Sequence, residues 1–173
     1  LKLLVQLSCG GILIATGSCI DLFEANWLNR ALTLFWVVGM MNSINMLDNM
    51  DGITTSVSIA VLIAGAMSIL VIGPSDPVYM VLIVGTMASL TGFLFFNWNP
   101  SRMFMGDTGS QFLGVLLAFV GIRFFWNAPS IEGRWELGRQ VMSALIVFLL
   151  PIVDTTVVTI NRLLKGRSPF VGG

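Results

Sequence analysis

Apolar runs of about twenty residues alternate here with short clusters of Gly, Pro, Asn and Asp, and that alternation leaves few architectures open. The runs fall at roughly 3–20, 31–47, 53–73, 77–97, 109–126 and 139–160. Each approaches the ~20 helical residues that cross a hydrocarbon core of about 30 Å. The breaks lie at Asp21–Arg30, Asp48–Gly52, Gly73–Pro77, Asn97–Gly106 and Asn127–Gly138, all rich in turn residues. A backbone in lipid must satisfy its own polar groups, so such runs are helices. The 173 residues are 55% hydrophobic and only 10% charged, whereas a soluble domain carries about 25% charged residues. The expectation is an all-α, polytopic membrane bundle of about six transmembrane helices, forming a single domain over 1–173.

Against that background the acidic residues stand out. Asp48 and Asp51 lie in Asn42-Ser-Ile-Asn45-Met-Leu-Asp48-Asn-Met-Asp51-Gly52, and Asp107 lies in Gly106-Asp107-Thr108-Gly109-Ser110. A carboxylate near hydrocarbon costs at least ~2.5 kcal/mol on insertion scales, so these positions are functional candidates. Asn42, Asn45, Asp48 and Asp51 recur every third residue, which on a helix makes one polar stripe. Amide and carboxylate oxygens are hard ligands suited to Mg²⁺ or Mn²⁺. A water-exposed helix end with capping residues is the plainer explanation, but it accounts poorly for four polar residues in register. Asp107 or Thr108 is expected to cap the helix that follows. A glycine-flanked helix N-terminus is also a ready anion site. In the lead-in to that motif, Arg102 is a candidate phosphate partner and Phe104 a candidate stacking surface for a base. Asp154, after Pro151, is read equally as a buried structural acid or a functional one.

Six crossings place both acidic motifs on one membrane face. That face also holds Lys2, Arg102, Arg162, Lys165 and Arg167, while Arg30, Arg123, Arg134 and Arg139 lie on or near the other. Five cations against four favour the motif face as cytoplasmic. The net charge is zero, which argues against a nucleic-acid partner. Cys9 and Cys19 have neither metal-site nor disulfide spacing and read as small buried thiols. The sequence contains no histidine. It opens at Leu1 within an apolar run and reads as an internal fragment.

Taken together, the motifs resemble the polyprenyl-phosphate N-acetylhexosamine-1-phosphate transferase family, glycosyl transferase family 4. One family block is matched by Asn42-x-x-Asn45-x-x-Asp48-x-x-Asp51-Gly52. Another is matched by Asn99-Pro100-Ser101-Arg102-x-Phe104-Met105-Gly106-Asp107-Thr108-Gly109-Ser110. Pro151-Ile-Val-Asp154-Thr155 and Arg162-Leu-Leu-Lys165-Gly166-Arg167-Ser168-Pro169-Phe170 resemble the stretch before the family's histidine motif. Members make the first lipid intermediate of peptidoglycan, or attach GlcNAc-1-phosphate to lipid for wall polymers and lipopolysaccharide O-antigen. The resemblance implies transfer of GlcNAc-1-phosphate from a UDP-sugar to undecaprenyl phosphate in the bilayer, with release of UMP and with Mg²⁺ or Mn²⁺ as cofactor. It places the enzyme in the bacterial inner membrane with its site on the cytoplasmic side, and it leaves a homodimer open.

By resemblance, Asp107 and Asn45 are metal ligands, and Asp48, Asp51 and Asp107 are the catalytic set. Asn42, Asn45, Phe104, Arg102, Lys2 and Arg167 contact substrate. The family's paired aspartates are expected just before Leu1 and its histidines just after Gly173. The Asp48-Asn49-Met50-Asp51 form favours the GlcNAc branch over the phospho-MurNAc-pentapeptide branch. A cation-coupled transporter is the rival from another class. It predicts acids near mid-span and an internal repeat, whereas these acids sit at span ends and no repeat is visible. A non-catalytic scaffold would not need the polar register.

Overall fold

The computed structural model describes residues 2–72, 76–128 and 136–166. In chain order the helices are α1 (Lys2–Ala15), α2 (Asn26–Leu47), α3 (Ile53–Ile72), α4 (Pro77–Asn97), α5 (Gly106–Gly121), α6 (Glu136–Val147) and α7 (Leu149–Leu164). A π-helical stretch, Ile122–Trp126, continues α5. No strand occurs among the described residues. The all-α expectation therefore holds.

Of the roughly six apolar runs, three or four are described as helices long and apolar enough by themselves to cross a membrane. Among the described residues, α3, α4 and α5 with its π extension are long and apolar enough to cross a membrane. A fourth span results if α6 and α7 count as one. The described part of α1 has 14 residues. By contrast α2 has 22 residues but is diluted by Asn29, Thr33, Asn42, Ser43 and Asn45. It can carry them because it is the central helix, packed against α1, α5 and α7 rather than lipid.

Trp36, Val37, Met40, Met41 and Ile44 of α2 are buried in the core. The closest approach is at Gly114 of α5, where an added Cβ would lie 2.6 Å from the Met41 Cα. Trp36 donates from its indole N–H to the Ala118 carbonyl at 3.1 Å. It also meets Phe148 edge-on, with ring centroids 5.0 Å apart. Such small-residue contacts and buried polar bonds hold helices together where lipid removes the hydrophobic drive.

The final run, read as one span over 139–160, is broken: α6 and α7 are bent by 71° about Phe148. Pro151 explains it. Its ring has no N–H for the Val147 carbonyl and clashes with it, so the helix stops at Val147 and restarts at Leu149. After the bend, α7 is pinned to α2. Ser43 Oγ donates to the Pro151 carbonyl at 2.6 Å, and Thr155 Oγ1 and Ser43 Oγ lie 2.7 Å apart.

The two ends of the bundle are stitched separately. At one, Asn127 Nδ2 donates to the Cys19 carbonyl at 2.7 Å, and Asn29 Nδ2 donates to Asp21 Oδ1 at 3.0 Å. At the other, the 48–52 turn meets the 97–106 loop. Cys9 and Cys19 are free and half-buried rather than fully buried.

Candidate functional site

Three helix ends meet at the face where the 48–52 turn lies. Lys2 opens α1, Asn45 lies near the end of α2, and Asp107 lies in the first turn of α5. Asn45 joins them. Its Nδ2 donates to Asp107 Oδ1 at 2.9 Å and to Ser110 Oγ at 2.9 Å, and its Oδ1 accepts from Lys2 Nζ. Asp107 sits in the first turn of α5, where the helix dipole favours an acidic side chain.

Asp48 follows α2 as its C-cap residue and is half-buried. Burial pushes its carboxyl above the ordinary carboxylate range. The Gly106 N–H draws it back, and the nearby charge of Asp107 adds to the rise. Two carboxylates of like sign are thus held within electrostatic reach of each other, beside an amide. The two carboxylates are hard oxygen ligands that fit Mg²⁺ or Mn²⁺, whose charge would relieve the repulsion, while the Asn45 oxygen accepts from Lys2. Among the described residues no group of three His, Cys, Asp or Glu converges. A cation there would draw its remaining ligands from outside this set.

Two local expectations are corrected. The four-residue stripe does not continue to Asp51, because α2 ends at Leu47. The chain then turns: Asn49 Nδ2 bonds back to the Met46 carbonyl at 2.7 Å, and Gly52 takes φ +72°, a value that favours glycine. Neither Asp107 nor Thr108 caps α5. The cap position is Met105, without a side-chain bond, and Asp107 lies inside the first turn. This frees the Asp107 carboxylate for Asn45.

Asp51 reaches the same face but is tied to the neighbouring loop. Its Oδ2 accepts from Asn99 Nδ2 at 3.0 Å and from the Ser101 N–H at 3.1 Å. Buried Asn97 completes the tether, accepting from the Gly52 N–H and Thr55 Oγ1 and donating to the Met103 carbonyl. Arg102 and Phe104 project from this anchored loop, and Phe104 is 71% exposed. Asn42 lies one turn deeper along α2 and is paired with Gln6, Nδ2 to Oε1 at 3.1 Å. Asp154 lies half-buried on α7, away from these contacts, and Arg167 lies outside the described residues.

The structure therefore brings Lys2, Asn45, Asp48 and Asp107 together and sets Asp51, Arg102 and Phe104 on the adjoining loop. Sequence reasoning missed Gln6 and Gln111, which bond to each other beneath the site, Nε2 to Oε1 at 2.9 Å. The available signal was spacing: Gln6 is four residues from Lys2, and Gln111 four from Asp107, each a polar residue inside an apolar run.

Fold and site define a class: a multi-pass helical membrane protein with a cluster of hard oxygen donors where its helix ends meet. The family model for glycosyl transferase family 4 matches residues 1–125, and the chain belongs to that family. A similar protein is the probable undecaprenyl-phosphate N-acetylglucosaminyl 1-phosphate transferase of Bacillus subtilis (strain 168). It is 30% identical, over 95% of this chain and 46% of the relative. Phospho-N-acetylmuramoyl-pentapeptide-transferases of Bacillus thuringiensis (strain Al Hakam) and Bacillus cereus (strain AH187) are each 36% identical over 100 residues, 58% of this chain and 30% of the relative. The chain spans less than half the length of these curated relatives. No solved structure matches it. Nothing in these comparisons supports a transporter.

Proposed function

We propose that this chain is the membrane core of an enzyme that moves N-acetylhexosamine-1-phosphate, GlcNAc-1-phosphate first, from a UDP-sugar to undecaprenyl phosphate. The observation that carries the reading is the Asn45–Asp107 contact, with Lys2 on the same amide and Asp48 beside it. In the transfer, a lipid phosphate oxygen attacks the sugar-bearing phosphorus of the diphosphate. One P–O bond forms, the P–O bond to UMP breaks, and UMP leaves with the electron pair. The barrier is the approach of one anion to another. A bound Mg²⁺ or Mn²⁺ supplies charge that offsets this repulsion and stabilises the leaving phosphate.

The chain's own residues do the rest. Asp107 and Asn45 would hold the cation, with Asp48 as the second carboxylate. Lys2 and Arg102 offer cationic donors to phosphate oxygens. Exposed Phe104, on a loop fixed by Asp51 and Asn97, offers a face for the uracil ring. The basic segment at Arg162–Arg167 supplies further phosphate contacts. A soluble nucleotide and a lipid phosphate can meet only at a membrane surface, and a site at helix ends suits that meeting. The assignment of that surface to the cytoplasmic side of the bacterial inner membrane is part of this reading, as is the assignment of 1–173 to one catalytic domain.

The phospho-MurNAc-pentapeptide reaction is the second reading, favoured by the 36% identity to those transferases. Radiolabelled transfer to undecaprenyl phosphate, run on the full-length protein with each nucleotide, separates the two. Lipid product from UDP-GlcNAc alone supports the first reading, and product from the pentapeptide nucleotide alone supports the second. The absence of product from either refutes the reaction class.

A further inference from the structure

Beneath the charged cluster lies a second polar layer, built from the same three helices. Gln6 of α1 is 1% exposed. Its Nε2 donates to Asn42 Oδ1 of α2 at 3.0 Å and to Gln111 Oε1 of α5 at 2.9 Å. Its Oε1 accepts from Asn42 Nδ2 at 3.1 Å, so the two amides pair reciprocally. Asn42 spends its other N–H on the Val38 carbonyl at 2.9 Å, and Gln111 Nε2 donates to the Met41 carbonyl at 3.2 Å. Every amide N–H of Gln6 and Asn42 thus has a partner.

The two layers are in register. Gln6 is one turn from Lys2, Asn42 one turn from Asn45, and Gln111 one turn from Asp107. The outer layer of Lys2, Asn45 and Asp107 carries charge, and the inner layer of Gln6, Asn42 and Gln111 is neutral. Gln6 is buried and Asn42 and Gln111 are half-buried, so these amides are tolerable in an apolar body only when mutually satisfied, because a lost partner leaves a desolvated polar group. A slide or rotation of any one helix against the others would break the inner layer as well as the outer one.

We infer that Gln6 is a positioning residue for the phosphoryl-transfer site. The Gln6–Asn42–Gln111 layer fixes α1, α2 and α5 so that Asn45 and the Asp107 carboxylate meet at the end of the bundle, beside Asp48, where a divalent cation would bind. This inference rests on the reaction proposed above. It also moves Asn42 from a substrate contact to a member of the lock, since its amide is spent on Gln6 and Val38.

The test uses Mn²⁺ binding to the full-length protein, followed by electron paramagnetic resonance, alongside Mg²⁺-dependent transfer. Gln6→Met keeps side-chain length and removes every hydrogen bond. It should raise the Mn²⁺ concentration for half-occupancy by about tenfold, the lower end of the usual cost of losing a support for a metal ligand. The same shift should appear in the Mg²⁺ dependence of turnover. Ser43→Ala is the control. Ser43 is buried on the same helix beside Asn42 but bonds to α7, so its loss should lower the melting temperature and leave Mn²⁺ affinity unchanged. If Gln6→Met does not fold, Gln111→Met carries the test, because it leaves the reciprocal Gln6–Asn42 pair intact; a shift in the same direction of about threefold or more supports the lock. Unchanged Mn²⁺ affinity in a folded variant overturns the inference, as does an equal shift from Ser43→Ala. Absence of Mn²⁺ binding and of transfer in the wild-type protein would sink the underlying reaction instead.

Discussion

Asn45 and Asp107 are 62 residues apart in sequence, on different helices, yet the Asn45 amide donates to the Asp107 carboxylate at 2.9 Å. That contact ties the two sequence motifs into one site. It has a direct consequence for the carboxylate. On the proposed reading Asp107 holds the cation that offsets the developing negative charge, so Asp107→Asn should cost ~3 kcal/mol or about a hundredfold in kcat. Steady-state kinetics on the full-length variant check it; turnover within about twofold of wild type would remove Asp107 from the mechanism.

Removing the Asp48 charge should raise stability in the absence of metal. Its folded carboxyl lies above the ordinary carboxylate range because of burial first and the Asp107 charge last. A raised carboxylate binds its proton more tightly folded than unfolded, so stability falls as pH rises through the window above the ordinary range. The penalty is fully present above the raised folded pKa. Asp48→Asn keeps an acceptor for the Gly106 N–H and removes the charge. In metal-free buffer it should melt higher than wild type at neutral pH, with the gap closing below the ordinary carboxylate range. An equal or lower melting temperature at neutral pH would contradict the burial argument.

Gly114 sets how close α5 comes to α2. An added Cβ meets the Met41 backbone, which cannot swing aside as a side-chain tip can. Gly114→Ala should destabilise the protein by roughly 1–3 kcal/mol, the usual range for overpacking. It should also weaken divalent-cation binding, because Asn45 and Asp107 ride on the two helices that are pushed apart. A melting temperature and cation affinity both equal to wild type would show that the helices can separate without consequence.

Asp51 holds the loop that carries Arg102 and Phe104. Asp51→Ala strands the Asn99 amide and the Ser101 N–H, which should loosen the loop. Exposed Arg102 is a tryptic site, so limited proteolysis at that bond should run severalfold faster in the variant. Unchanged cleavage would mean that Asn97 alone anchors the loop.

Much of this was legible in the sequence, for physical reasons. Apolar run length and turn composition announce helices, and crossing parity alone brings the Asp48 and Asp107 motifs to one face. Helical spacing marked Asn42 and Asn45. What sequence spacing could not show is where a helix stops. The period-three pattern runs on through Asp51, but Asn49 and Gly52 end the helix first, and Asp51 is turned to a structural task. The last run is as apolar as the others, yet Pro151 breaks it and bends α7 by 71°. Gln6 and Gln111 escaped notice because a lone amide in an apolar run carries no charge to flag it. Its partners lie on other helices.

The central claim is that the Asn45–Asp107 site performs cation-dependent phosphoryl transfer to a lipid. Radiolabelled GlcNAc-1-phosphate transfer from UDP-GlcNAc to undecaprenyl phosphate, by the full-length enzyme with Mg²⁺ or with excess chelator, tests it most directly. The account predicts lipid-linked product with Mg²⁺, loss of product with chelator, and recovery when Mg²⁺ or Mn²⁺ is restored. Product formed at an undiminished rate in chelator would contradict it.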